Sequence, residues 1–206
     1  MFKMKQQELF RTWGGKREGA GAKKRPGAGV SHLARPKLAS RFPVHVNVKV
    51  KKDVFGLRSR RSFRVIQRAF FAGNDRFGFR LNHFSVEGNH LHFIVEAVDG
   101  EALARGMQGL EVRIAKGLNR MMGRKGRVFG DRYHARILRT PTEVKRALRY
   151  VLENHQKHAA ERGQPLPPSY QDPYTSIAAA TGPPLVVPSR TWLLTRAVRS
   201  LGLVAA

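Results

Sequence analysis

The chain has 206 residues, with 39 Lys or Arg against 14 Asp or Glu, a formal net charge of +25 and a sequence pI near 11.6. That excess goes well beyond what solubility requires and points to a polyanionic partner, most simply nucleic acid. No apolar run approaches the ~20 residues of a spanning helix, which argues against a membrane partner. The absence of cysteine excludes disulfides and thiolate metal sites, so any bound metal sits on nitrogen and oxygen ligands.

Residues 1–42 are poor in aliphatics and rich in Gly, Lys and Arg, as between Trp13 and Pro26. Such a stretch buries too little apolar surface to order itself, and it reads as a flexible basic arm lying along phosphates or as a solubilising tail. It also lacks a signal peptide's apolar core, so a cytoplasmic, nucleoid-associated location is the expectation. Order begins where Val44, Val46, Val48 and Val50 alternate with His45, Asn47, Lys49 and Lys51 in the manner of a half-buried strand. Ser59 or Ser62 then caps a helix carrying Phe63, Ile66, Ala69 and Phe70 on one side, ended by Gly73-Asn74-Asp75. A strand over residues 77–86 turns through Glu87-Gly88-Asn89 into the apolar run His90 to Val95, an antiparallel hairpin.

The clearest helix follows, with Leu103, Met107, Leu110, Ile114, Leu118 and Met121 spaced along one core-facing side. Gly123 to Gly126 ends it, and a strand is expected over residues 127–138. A last helix starts near Thr140-Pro141-Thr142-Glu143, with Pro141 at an early helical position, and runs to about His158. The order strand, helix, strand, strand, helix, strand is the split βαβ pattern of a ferredoxin-like α+β fold. Its antiparallel sheet carries two helices on one face and leaves the other for function. The expected organisation is a basic arm over 1–42, a catalytic-type domain over 43–158 and a Pro-rich tail over 159–206. Within the tail, residues 191–204 read as a short amphipathic helix that docks on the core or covers the site.

Chemistry concentrates at His90-Leu91-His92. Strand side chains alternate, so both imidazoles project to one face while Leu91, Phe93 and Val95 take the other. Two imidazoles so placed can clamp a divalent ion, although a His-x-His pair on a half-exposed strand is more often solvated than ligating. The last helix offers Tyr150 and Asn154, four residues apart on one surface and off the edge of the stripe Val144, Leu148 and Val151. If that helix packs near the free sheet face, Tyr150 points toward the metal and Asn154 offers an amide oxygen. Glu153 is a harder oxygen donor, but it lies a further ~100° around the helix. His155 and His158 lie toward the apolar stripe and read as packed or hydrogen-bonded. His45 is either a DNA contact or solvated, and Tyr133 either stacks a base or is core.

Three motifs in order resemble a known family. Asn89-His90-Leu91-His92, then Gly126 to Phe129 with Arg132-Tyr133 and Ile137, then Tyr150 to Asn154 with Lys157-His158, are similar to the motifs of HUH-type single-tyrosine DNA transposases. The REP-associated tyrosine transposases are the nearest subgroup. The resemblance spans residues 43–158, with Gly88 and His155 standing where relatives often carry Pro. It implies that Tyr150 attacks a phosphorus of single-stranded DNA to give a 5′-phosphotyrosine, with Mg²⁺ or Mn²⁺ held by His90, His92 and Asn154. Free tyrosine is largely protonated at neutral pH, so Arg149, Lys157 or the metal is expected to stabilise its phenolate. The implied substrate is hairpin-forming or palindromic single-stranded DNA, and a monomer is expected rather than a dimer. Two other readings are a single-strand nucleic-acid-binding module without chemistry and a replication-initiator or relaxase nickase with the same chemistry.

Overall fold

The computed structural model describes residues 36–203 apart from 55, 162, 168 and 179–183. The basic arm up to residue 35 and the side chain of His158 lie outside the described residues. In chain order the elements are β1 (Val44–Lys49), α1 (Arg60–Gly73), β2 (Asp75–Arg76), β3 (Phe79–Val86), β4 (His90–Ala97), α2 (Gly100–Met122), β5 (His134–Ile137), α3 (Pro141–Glu161) and α4 (Trp192–Ser200). The strands form one antiparallel sheet in the order β2-β3-β4-β1-β5. This is the α+β, ferredoxin-like arrangement expected, with a short hairpin strand added at one edge.

Local chemistry sets the boundaries. Ser59 caps α1 by accepting from the Ser62 amide, and Asp99 caps α2 by accepting from the Ala102 amide at 2.7 Å. Gly123, at φ 64°, ends α2 in the left-handed conformation. The strand expected from residue 77 instead starts at Phe79. Phe77 and Gly78, at φ 52° and 78°, form the two-residue turn between β2 and β3.

The strand expected over 127–138 is regular only over His134–Ile137. Its earlier residues still track the end of β1, where the Lys51 amide donates to Val128 O at 2.8 Å and the Gly130 amide to Lys49 O at 3.2 Å. The chain then turns at Asp131, whose carboxylate accepts from the Arg132 amide at 2.8 Å, and Tyr133 enters the core rather than facing a base. The boundary at residue 42 also shifts, because Leu38 packs into the core at 6% exposure and brings residues 36–42 into the folded unit.

The sheet has two unlike faces. Val44, Val46, Val48, Leu91, Phe93 and Val95 join Phe63, Ile66 and Phe70 of α1 and Met107, Leu110, Ile114 and Leu118 of α2 in the larger core. Ring centroids there lie 4.6 Å apart for Phe70–Phe84 and 5.7 Å for Phe70–Phe93, aromatic pairs worth roughly 0.5–1.5 kcal/mol each beyond their burial. On the opposite face, Ile94 meets Leu148, Val151 and Leu152 of α3 and Leu194 and Val198 of α4 in a smaller core.

The tail is tied to the sheet. The Val86 amide donates to Tyr174 O at 2.9 Å, the Ser176 amide to Phe84 O at 3.0 Å and the Val187 amide to Leu81 O at 2.9 Å, which covers the outer edge of β3. Arg58 holds the buried Asp172 with two bonds of 2.8 Å. Thr191 precedes α4 without a side-chain cap. The buried Glu96 of β4 does that work, accepting from the Arg190 amide at 3.0 Å and the Thr191 amide at 2.7 Å, a negative charge at the positive end of the helix.

Candidate active site

Cross-strand partners in an antiparallel sheet share a face, so the register assembles the site. His92 lies between Ser85 of β3 and Asn47 of β1, and Asn47 is in turn paired with His134 of β5. One row on, His83, Ile94, His45 and Arg136 stand side by side, and His90 is opposite Lys49. A bulge between Leu81 and His83 sends Asn82 to this face as well, where its amide donates to Glu96 at 3.2 Å. Imidazoles, amides and cations from four strands therefore occupy the side that α3 covers.

The pair singled out in the sequence is compact, with the His90 and His92 rings 4.7 Å apart. His90 Nδ1 lies 2.8 Å from Asn89 Oδ1, and His92 Nδ1 lies 3.3 Å from His45 Nε2. His45, half-buried, is wedged between His92 and the helix above. Burial pushes its pKa down to about 4, with the nearby His134 and Arg136 adding to the shift, so it is neutral at physiological pH.

Helix α3 is launched by a capping box. Thr140 Oγ1 accepts from the Glu143 amide at 3.2 Å, and Glu143 accepts from the Arg139 and Thr140 amides at 2.8 and 3.1 Å. The Arg139 amide, followed by the Arg136 side chain, holds the Glu143 carboxyl below its ordinary range. From this start, Val144, Ala147, Leu148, Val151 and Leu152 face inward, and Tyr150 sits at the edge of the stripe, 44% exposed. Its ring meets His92 edge-on at 5.1 Å and His45 at 5.8 Å.

Asn154 departs from expectation. It is not off the stripe but within it, at 3% exposure, one turn beyond Tyr150. At the next residue the tail meets the helix. His155 Nδ1 lies 3.7 Å from Asp172 Oδ2, and the His155 ring is 5.6 Å from that of Tyr170. Glu153 is exposed and borders a cavity of about 600 Å³ that is also lined by Asn82, His83, His155 and Tyr170. In that cavity wall His83 Nδ1 is 3.2 Å from Ser176 Oγ, and burial pushes the His83 pKa down to about 4. Lys157 lies 3.8 Å from Glu161.

Among the described residues, no three His, Asp or Glu side chains converge as a metal cluster. An amide oxygen is one donor that could complete a three-ligand site built on His90 and His92. Asn47 on β1 pairs with His92 in the register, and its Oδ1 is buried without a hydrogen-bond partner, while Asn154 is buried on α3 one turn beyond Tyr150. Imidazole nitrogen with amide oxygen is a donor set that fits Mn²⁺ or Mg²⁺. Sequence reading passed over Asn47, since only the register shows which strand lies beside His92.

No family model and no curated protein matches the chain. Among solved structures, it is similar to a REP-associated tyrosine transposase bound to a REP hairpin, at 14% identity and TM-score 0.54, over 79% of this chain and 93% of that one. A Deinococcus radiodurans R1 protein described as a transposase aligns over 67% of this chain and 98% of its own, at 12% identity and TM-score 0.41. The first likeness agrees with the resemblance of the three sequence motifs: the chain has the fold of a REP-associated tyrosine transposase.

Proposed function

We propose that the chain is a single-tyrosine DNA transposase of the REP-associated type that nicks and rejoins single-stranded DNA through Tyr150. The observation that supports this most is the ring cluster itself, a partly exposed phenol packed edge-on against His92 and His45 beside His90. The Tyr150 oxygen attacks a backbone phosphorus. The bond from phosphorus to the 3′ oxygen breaks, that oxygen takes up a proton to leave as a 3′-hydroxyl, and a 5′-phosphotyrosine remains. Attack by a second 3′-hydroxyl reverses the step, so the phosphodiester energy is conserved and no nucleotide cofactor is needed.

His90, His92 and Asn154 are the residues that would hold Mg²⁺ or Mn²⁺, with Asn47 Oδ1 in the same row of the sheet. Such an ion, when bound, polarises the scissile phosphate as a Lewis acid and aligns it. Lys49 and Arg136, exposed on the same face, offer cationic ground for the DNA backbone. Tyr150 meets a histidine of its own chain, which favours a monomer acting alone. The neighbour's REP hairpin supports hairpin-forming single-stranded DNA as substrate. The folded unit from residue 36 to 158 carries the chemistry, the basic arm before it follows phosphates, and the tail from 159 braces the nucleophile helix. No described helix is long and apolar enough to cross a membrane, and cytoplasmic work on nucleoid DNA is the location this reading takes.

The test incubates the protein with hairpin-containing single-stranded DNA and Mn²⁺ and looks for a protein–DNA adduct that survives denaturation. Wild type forms it, and Tyr150→Phe binds the same DNA without forming it. DNA binding with no adduct across many hairpin substrates would instead make the chain a binding module without chemistry.

A further inference from the structure

We infer that His45 is a positioning residue for the site. Its Nε2 accepts a hydrogen bond from Nδ1–H of His92, which fixes the His92 tautomer and turns His92 Nε2 toward the working face. The inference deepens the reading of His90 and His92 as a metal pair, and it rests on that reading for its purpose. Its claim about His92 nevertheless holds with no ion bound.

Two neutral imidazoles that share a hydrogen bond must divide the roles, one nitrogen donating and the other accepting. The nitrogens in question are His45 Nε2 and His92 Nδ1, at 3.3 Å. His90 offers a parallel. Its Nδ1 lies 2.8 Å from the side-chain oxygen of Asn89, an atom that only accepts, so His90 carries its proton on Nδ1 and keeps its lone pair on Nε2. With its Nδ1 engaged by His45, His92 can ligate only through Nε2. That nitrogen offers a lone pair only if Nδ1 carries the proton, and His45 Nε2 is then the acceptor. A carboxylate or backbone carbonyl commonly plays this part behind a ligating histidine. Here a third imidazole plays it.

The fold holds His45 in place for the role. Its strand is paired on both sides, with His45 opposite Ile94 of β4 and Arg136 of β5. Its ring also abuts Tyr150 edge-on at 5.8 Å. One side chain therefore sets the orientation of His92 while bounding the space in which the phenol moves, which couples the metal half of the site to its nucleophile half.

The direct test is long-range ¹H–¹⁵N correlation NMR of the metal-free wild-type chain, which reads the tautomer of each histidine. His92 is expected as Nδ1–H. His45→Ala releases it toward the Nε2–H form and weakens Mn²⁺ binding, read by electron paramagnetic resonance, by roughly 10- to 100-fold. His45→Gln, which returns an accepting oxygen, restores much of both. Finding His92 as Nε2–H in the wild type overturns the inference without recourse to any variant, as does a His45→Ala chain whose tautomer and Mn²⁺ affinity are unchanged. A wild type with His92 as Nδ1–H that binds no Mn²⁺ supports the positioning role and overturns the metal reading instead.

Discussion

On the α1 and α2 side of β4, Leu91, Phe93 and Val95 sit in a packed aromatic and aliphatic core, and α2 approaches so closely that a Cβ on Gly106 would fall 2.1 Å from the Phe79 ring. On the α3 side, the residues between them are His90, His92, Ile94 and Glu96. One strand thus supplies a stability face and a site face, and the alternation of side chains keeps the two apart. The apolar face tolerates no change of volume, whereas the polar face is spanned by hydrogen bonds that orient rings and anchor the tail. Substitutions one residue apart should therefore differ in kind and not only in degree.

Phe93→Ala and His92→Ala give the largest contrast. Phe93→Ala should cost about 3–5 kcal/mol of unfolding free energy, measured by urea denaturation, through the cavity left beside Phe70. His92→Ala should change stability by only about 1 kcal/mol and lower the yield of DNA adduct roughly 10²-fold or more. Equal loss of stability in the two variants would erase the distinction between the faces. On the apolar side again, Gly106→Ala should destabilise by about 1–3 kcal/mol because the new methyl group displaces Phe79, overriding the usual helix-forming advantage of alanine.

The site face should also respond to pH. His83 has a native pKa of about 4 because burial disfavours its charged form, against about 6.5 in the unfolded chain. Above 6.5 both states are neutral and the stability is fully present. Between 6.5 and 4 the unfolded chain takes up a proton that the native state refuses, so stability falls with falling pH by an amount on the order of 1–3 kcal/mol. Denaturation midpoints at a series of pH values should show that slope, reduced but not abolished in His83→Gln, because His45 contributes in the same window. The smallest effect expected is that of Glu143→Ala, which opens the capping box of α3 and should cost about 0.5–1 kcal/mol. It should leave the adduct yield nearly unchanged, since the Tyr150 end of the helix is held by Leu148 and Val151.

Where a pattern is local, the sequence already told this story. The alternation of Val44, Val46 and Val48 with His45 and Asn47 set the two faces of β1, and His90-Leu91-His92 placed both imidazoles together before any partner was known. Helix α3 announced itself by Pro141 at its start and by its apolar stripe. What stayed illegible depends on partners distant in the chain. His155 is held by the tail residues Tyr170 and Asp172 where they meet α3, which helical spacing alone does not encode. Glu96 accepts from the amide of Thr191, 95 residues later at the start of α4, and Asn47 matters because of the strand beside it. The bulge at Asn82 and the shortness of β5 are likewise decided by pairing, not by composition.

The central claim is that one tyrosine among four carries the DNA. The most direct measurement is mass spectrometry of proteolysed protein–DNA adduct formed on hairpin single-stranded DNA with Mn²⁺, which locates the attached nucleotide on the chain. A 5′-phosphotyrosine on the peptide containing Tyr150 is the predicted result. Attachment at Tyr133, Tyr170 or Tyr174, or at a residue other than tyrosine, would contradict it.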